Sequence, residues 1–233
     1  MKQIPYFSTR MKLADLISAN YHLILTLPRF GISLGFEDKS IEEVCQINNI
    51  NPEFFILICN VYSFDNYIPD YEEIQSIDME FMVPYLMASH RYYLEERIPH
   101  IERHLHHIAD KVEPQYGAIL KNFFDDYKTE VFNHFKYEEE LVFPHLKQLN
   151  EQRKDGNYHI QEFTKTHSNI EDKLSDLTQI IYKYLPGNIL PEETIELVFD
   201  VMELSSDLNK HTLIEDKILA PYIEALERRI YES

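Results

Sequence analysis

His134-Phe-Lys-Tyr-Glu138 is followed by Leu141 and Pro144, and His211-Thr-Leu-Ile-Glu215 is followed by Ile218 and Pro221. Both stretches read His, Glu four on, an aliphatic residue three later, and Pro three after that. Residues four apart on a helix stack on one face, about a turn from each other. Each stretch can therefore aim an imidazole and a carboxylate at one point. Two such helices facing one another would build a cage for two metal ions. A single His-x-x-x-Glu on a helix is ordinarily an exposed i,i+4 pair, but its repetition with matching aliphatic and Pro positions sets these two apart.

Two further histidines extend the set. His167 lies in TKTHSNIEDKL and His90 in LMASHRYYLEERIP. His90, His134, Glu138, His167, His211 and Glu215 are thus the candidate metal ligands, four imidazoles and two carboxylates. Glu171, four beyond His167, reads as solvated surface. His104, His106 and His107 share the first long helix with His90 and are its rivals. His100, His145 and His159 read as exposed. Imidazole and carboxylate are borderline and hard donors, a set that suits iron or manganese and tolerates zinc. An acidic pair inside a core is expensive to ionise unless cations compensate it, so each Glu is expected to bridge the metals. Six protein ligands leave positions where O2, NO or peroxide can bind.

Four long helices are needed to position these groups. Apolar spacing predicts them over about 78–112, 115–149, 158–184 and 191–230, with Pro99 kinking the first. Short connections make an up-down-up-down bundle the natural packing. Helices two and four then run parallel on the diagonal, with their His–Glu pairs at similar depth. Before the bundle, residues 1–64 read as a small helical domain. Ser40 with Glu43 forms a capping box and Asn51-Pro52 opens a helix. The polar, acidic stretch 65–77 reads as a linker, and 78–233 as the bundle domain.

Composition agrees with an all-α chain: 233 residues, 44% hydrophobic, only 5 Gly, and abundant helix formers. Ten of the 11 histidines lie at or beyond residue 90, which an exposed scatter would not favour. A net charge of -18 argues against nucleic-acid binding, which needs a basic footprint, and against docking on anionic membranes. No run of about 18 apolar residues is available to span a bilayer. Cys45 and Cys59, in apolar surroundings, read as free buried thiols, and a cytoplasmic setting is expected.

The stretches NHFKYEEELVFPHL, NKHTLIEDKILAPYI, THSNIEDKL and SHRYYLEERIPHI resemble the ligand-bearing helices of the hemerythrin-like, HHE cation-binding family. The likeness runs from about Met82 to Glu227 and is nearest to the di-iron proteins that repair iron centres. An alignment on Pro99 would put the first-helix ligand at position 91, which is Arg here and leaves His90. LPRFGISLGFEDKSIEEVCQINNIN is similar to the small amino-terminal domain of that group. The Cys-Cys pair of that domain is replaced by a turn, Ser33-Leu34-Gly35-Phe36, and Cys45 does not substitute for it.

The resemblance implies a non-haem di-iron protein that binds or reduces O2, NO or peroxide. Its role would lie in nitrosative or oxidative stress or in iron–sulfur cluster repair. The four histidines would be terminal ligands, the two Glu bridging ligands, and an oxo or hydroxo group would complete the bridge. An iron–sulfur client or a redox partner is expected, and a homodimer is one assembly to test. The alternative is a di-iron sensor of O2, NO or iron that acts through a protein partner without turnover. Between enzyme and sensor the sequence does not choose.

Overall fold

Strong helix formers and apolar residues at helical spacing give helices throughout the computed structural model, which describes residues 6–76, 79–152, 158–165, 168–184 and 190–231. No strand forms among the described residues; Lys12 and Ser40 make one isolated bridge. The amino-terminal segment holds α1 (Leu13–Ala19), α2 (Thr26–Arg29), α3 (Ile41–Ile47), α4 (Pro52–Ser63) and α5 (Tyr71–Ser76). Four long helices follow: α6 (82–109), α7 (114–150), α8 (Ser168–Tyr184) and α9 (191–231). The expected capping box is present. Ser40 Oγ accepts from the Glu43 N–H, and the Glu43 carboxylate accepts from the Ser40 N–H at 2.7 Å. Asn51 caps α4 with Pro52 in its first turn. Gly31, at φ 72°, turns the chain out of α2 in a conformation that glycine adopts without penalty.

The chain forms two compact units. The first comprises Met1–Ser89 and Lys210–Ser233, the second His90–Asn209. In the first, Leu13, Leu16, Phe54, Phe55 and Ile58 are wholly buried. Phe30 packs on Phe54, Phe55 and Tyr85, with the Tyr85 ring 4.6 Å away. α5 forms inside the stretch read as a linker, and Tyr67 and Ile74 of that stretch are buried. Lys210 pairs with Asp65 at 2.6 Å, and Lys217 donates to the carbonyl oxygens of Asp65 and Tyr67. Cys45 and Cys59 are free and buried, and burial pushes the Cys45 thiol up to about 12.

In the second unit four helices share one core. It takes Ile101 and Leu105 from α6, Phe124 and Val131 from α7, Leu174 and Leu177 from α8, and Val201 and Leu204 from α9. Polar pairs between helices give the directions. Glu102 meets Lys128, and Asp110 meets Lys121, so α6 and α7 are antiparallel. Tyr93 meets Asp207, Arg97 meets Asp200, and Lys111 meets Glu193, so α6 and α9 are antiparallel too. Lys173 of α8 reaches Glu130 of α7. The exposed ion pairs among them add little stability, but all of these contacts fix neighbours and register. Gly117 lets α7 start close against the end of α6: a Cβ there would lie 2.4 Å from the Ala109 carbonyl oxygen. The architecture is an all-α, up-down-up-down four-helix bundle preceded by small helices. No described helix is long and apolar enough to cross a membrane.

Candidate metal centre

Three of the long helices change winding at the same place in their sequence. α6, α7 and α9 contain π-helical segments at Tyr92–Arg97, Glu138–Val142 and Glu215–Leu219. In each, the residue just before a proline donates its N–H five residues back: Ile98 to Tyr93, Phe143 to Glu138, and Ala220 to Glu215. The cause is the proline that follows. Pro99, Pro144 and Pro221 lack an N–H, and their rings collide with the carbonyl four residues back in a regular α-helix. Widening the turn by one residue relieves the collision. Pro99 was expected to kink its helix; a widened turn precedes it.

Glu138 opens the segment in α7 and is fully buried. Its carboxylate faces two imidazoles. Oε1 lies 2.7 Å from His134 Nε2, and Oε2 lies 3.0 Å from His90 Nε2. The His90 ring is itself held on several sides. It stacks on Phe135 at 4.1 Å and 8°, with Phe143 further out at 5.8 Å. Its Nδ1 lies 2.9 Å from Glu139 Oε1. The His134 ring lies parallel to Phe163, 6.4 Å away. In the second copy of the motif, His211 Nε2 is 3.0 Å from Glu215 Oε1, and both residues are buried.

His90, His134 and Glu138 thus form one cluster in the second unit, and His211 and Glu215 a buried pair in the first; both groups carry metal-ligand chemistry. The donor chemistry fits a cation. A fully buried carboxylate such as Glu138 is costly without positive charge beside it. A neutral imidazole has one N–H, yet His90 meets a carboxylate at both nitrogens, so one nitrogen would face an oxygen lone pair with its own. An ion between Nε2 and Glu138 removes that conflict.

His134 lies against the Glu138 oxygen that His90 does not face. His167 and residue 166 lie outside the described residues, as does the side chain of Glu171. Two of the three rivals on α6 are engaged elsewhere: His104 meets Asp200 at 3.3 Å, and the exposed His107 meets Glu193 at 3.7 Å; His106 meets none of the candidate ligands in the contacts described. His100, half-exposed, also meets Asp200. His159 is exposed as expected. His145 departs from expectation. It is 5% exposed, with its ring edge-on to Tyr158 at 5.0 Å, because its helix face packs inward beyond Pro144. The sequence reading passed over Glu139, Phe135 and Phe143. The Glu138–Glu140 run looks like solvated charge, and the two Phe look like ordinary core.

A family model, the hemerythrin HHE cation binding domain, matches residues 82–225, more than half of the chain. The chain belongs to the hemerythrin family. The matched span begins at α6 and includes both copies of the His–Glu motif, the three π-segments and the buried cluster. The hemerythrin-family chain is thus a metal-binding module with a candidate His/Glu centre. No curated protein and no solved structure matches it significantly.

Proposed function

We propose that this hemerythrin-family protein holds two iron ions and uses them to bind or reduce a small ligand: O2, NO or peroxide. The observation that carries the reading is Glu138, a fully buried carboxylate with a different imidazole at each oxygen. Placed so, the carboxylate would offer one oxygen to each of two ions, with a histidine beside each. His90, His134, His167 and His211 would be terminal ligands, and Glu138 and Glu215 would bridge. Manganese or zinc would fit the same donors. Iron would supply reversible ligand binding and one-electron chemistry. The chain's own residues orient the imidazoles and exclude bulk water, with Phe135 and Phe143 closing over His90. We assign the role to nitrosative or oxidative stress or iron–sulfur cluster repair, in a cytoplasmic setting that suits two free thiols.

One observation favours a second reading, a di-iron sensor that acts through a protein partner. The turn at Ser33-Leu34-Gly35-Phe36 carries no cysteine, so the amino-terminal segment brings no vicinal thiols to redox chemistry. Sustained consumption of NO or peroxide favours the enzyme. A spectral change on ligand binding without consumption favours the sensor.

The first test is metal content by mass spectrometry, with the ultraviolet–visible spectrum of aerobically purified protein. About two irons per chain with oxo-bridge absorption in the near ultraviolet is the expected result. No transition metal after anaerobic Fe(II) loading overturns the reading. Glu138→Ala is expected to lose at least one of the two ions, and retention of both removes Glu138 from its bridging role.

A further inference from the structure

We infer that Glu139 is a positioning residue for the centre, one that holds His90 in the tautomer able to bind a metal ion. The inference rests on the metal reading above and adds a group outside the ligand set. Glu138 and Glu139 are consecutive, and consecutive helical residues do not ordinarily face one partner. Here they meet the two nitrogens of a single ring: Nε2 is 3.0 Å from Glu138 Oε2, and Nδ1 is 2.9 Å from Glu139 Oε1. The two carboxylates differ in setting. Glu138 is fully buried, whereas the Glu139 side chain is 38% exposed at the edge of the cluster.

That difference sorts their roles. The buried carboxylate belongs with the ion; the outer one can accept a proton bond without being drawn into the cluster. A neutral imidazole carries its proton on one nitrogen only. With the proton on Nδ1, donating to Glu139, Nε2 presents its lone pair to the site. With the proton on Nε2, the ring cannot ligate there. A carboxylate behind a ligating imidazole fixes tautomer and orientation and raises the basicity of the ligand nitrogen. Stacking on Phe135, at 4.1 Å and 8°, restrains the plane of the ring but does not choose between its nitrogens. Glu139 supplies an acceptor at Nδ1 and so favours the proton there.

The test is Co(II) titration against a competing chelator on the full chain. Wild type, Glu139→Ala, Glu139→Gln and Glu139→Lys are compared, with melting curves of the metal-free forms alongside. Removal of the acceptor is expected to weaken Co(II) binding about 10- to 100-fold in Glu139→Ala and Glu139→Lys. The Gln side-chain carbonyl still accepts from Nδ1–H, so Glu139→Gln is expected to restore most of the affinity. A merely structural role would lower melting temperatures without that rescue. Should Glu139→Ala fail to fold, the contrast between Gln and Lys carries the test. Wild-type affinity in Glu139→Ala, or Gln as weak as Lys, overturns the role of Glu139 while leaving the centre standing. A wild-type chain that takes up no Co(II) or Fe(II) overturns the metal reading, and this inference with it.

Discussion

Tyr93 on α6 and Glu138 on α7 occupy the same place relative to a proline, six residues ahead of Pro99 and Pro144. Both backbones respond alike, with the carbonyl accepting an N–H from five residues on. Both side chains are fully buried. Their chemistry differs. Glu138 meets His90 and His134, whereas the Tyr93 hydroxyl donates to the Asp207 carbonyl oxygen at 3.2 Å. Four residues earlier stands His134 in one helix and Ser89 in the other, and Ser89 turns its hydroxyl back to the Tyr85 carbonyl oxygen. The histidine of α6 is one position on, at His90. The widened turn is therefore a backbone answer to proline that does not depend on a ligand in it. Ligation is decided by which side chain stands there.

Three substitutions test this separation, and the largest effect is expected at the carboxylate. Glu138→Ala should empty part or all of the centre by metal analysis while circular dichroism stays helical, because the turn depends on Pro144. Loss of the helix itself would tie ligand and backbone together. Phe135→Ala comes next. Phe135 stacks on His90 and lies 5.8 Å from Tyr93, so it supports both places at once. Removing a buried Phe typically costs about 3–5 kcal/mol, read by chemical denaturation of the metal-free protein. Metal affinity should fall as well, since the His90 plane is released. An effect on stability alone would mean that the stack packs the core without guiding the ring. The smallest effect is expected for Tyr93→Phe. It deletes one buried hydrogen bond worth about 1 kcal/mol and should leave metal content unchanged. A loss of ions in this variant would show that the turn on α6 also serves the centre.

How much of this was legible follows from the range of each interaction. The His134–Glu138 and His211–Glu215 pairs were readable because i,i+4 proximity is imposed by helix geometry within one turn. The capping box at Ser40 and Glu43 is local in the same way, and it formed as expected. The prolines were visible, but not that the chain would widen before them. Kink and widened turn both relieve the proline clash, and packing beyond the helix selects between them. For His145, exposure was expected; its burial beside Tyr158 is set by packing that the local sequence does not encode.

By itself the sequence determined the all-α class, the long helices, and the doubled pair of imidazole and carboxylate. These follow from propensity, apolar period and spacing, all read along one strand of chain. The tertiary structure decided what lies against what. His90 rather than His104 meets Glu138, because the two histidines are about 21 Å apart along α6 at 1.5 Å per residue and only His90 reaches the level of Phe135 and Glu138. It also brought the second carboxylate, Glu139, to the far nitrogen of the same ring. Neither contact has a signature in spacing, since the partners stand 48 and 49 positions apart in the chain. Only packing of α6 against α7 sets their distance.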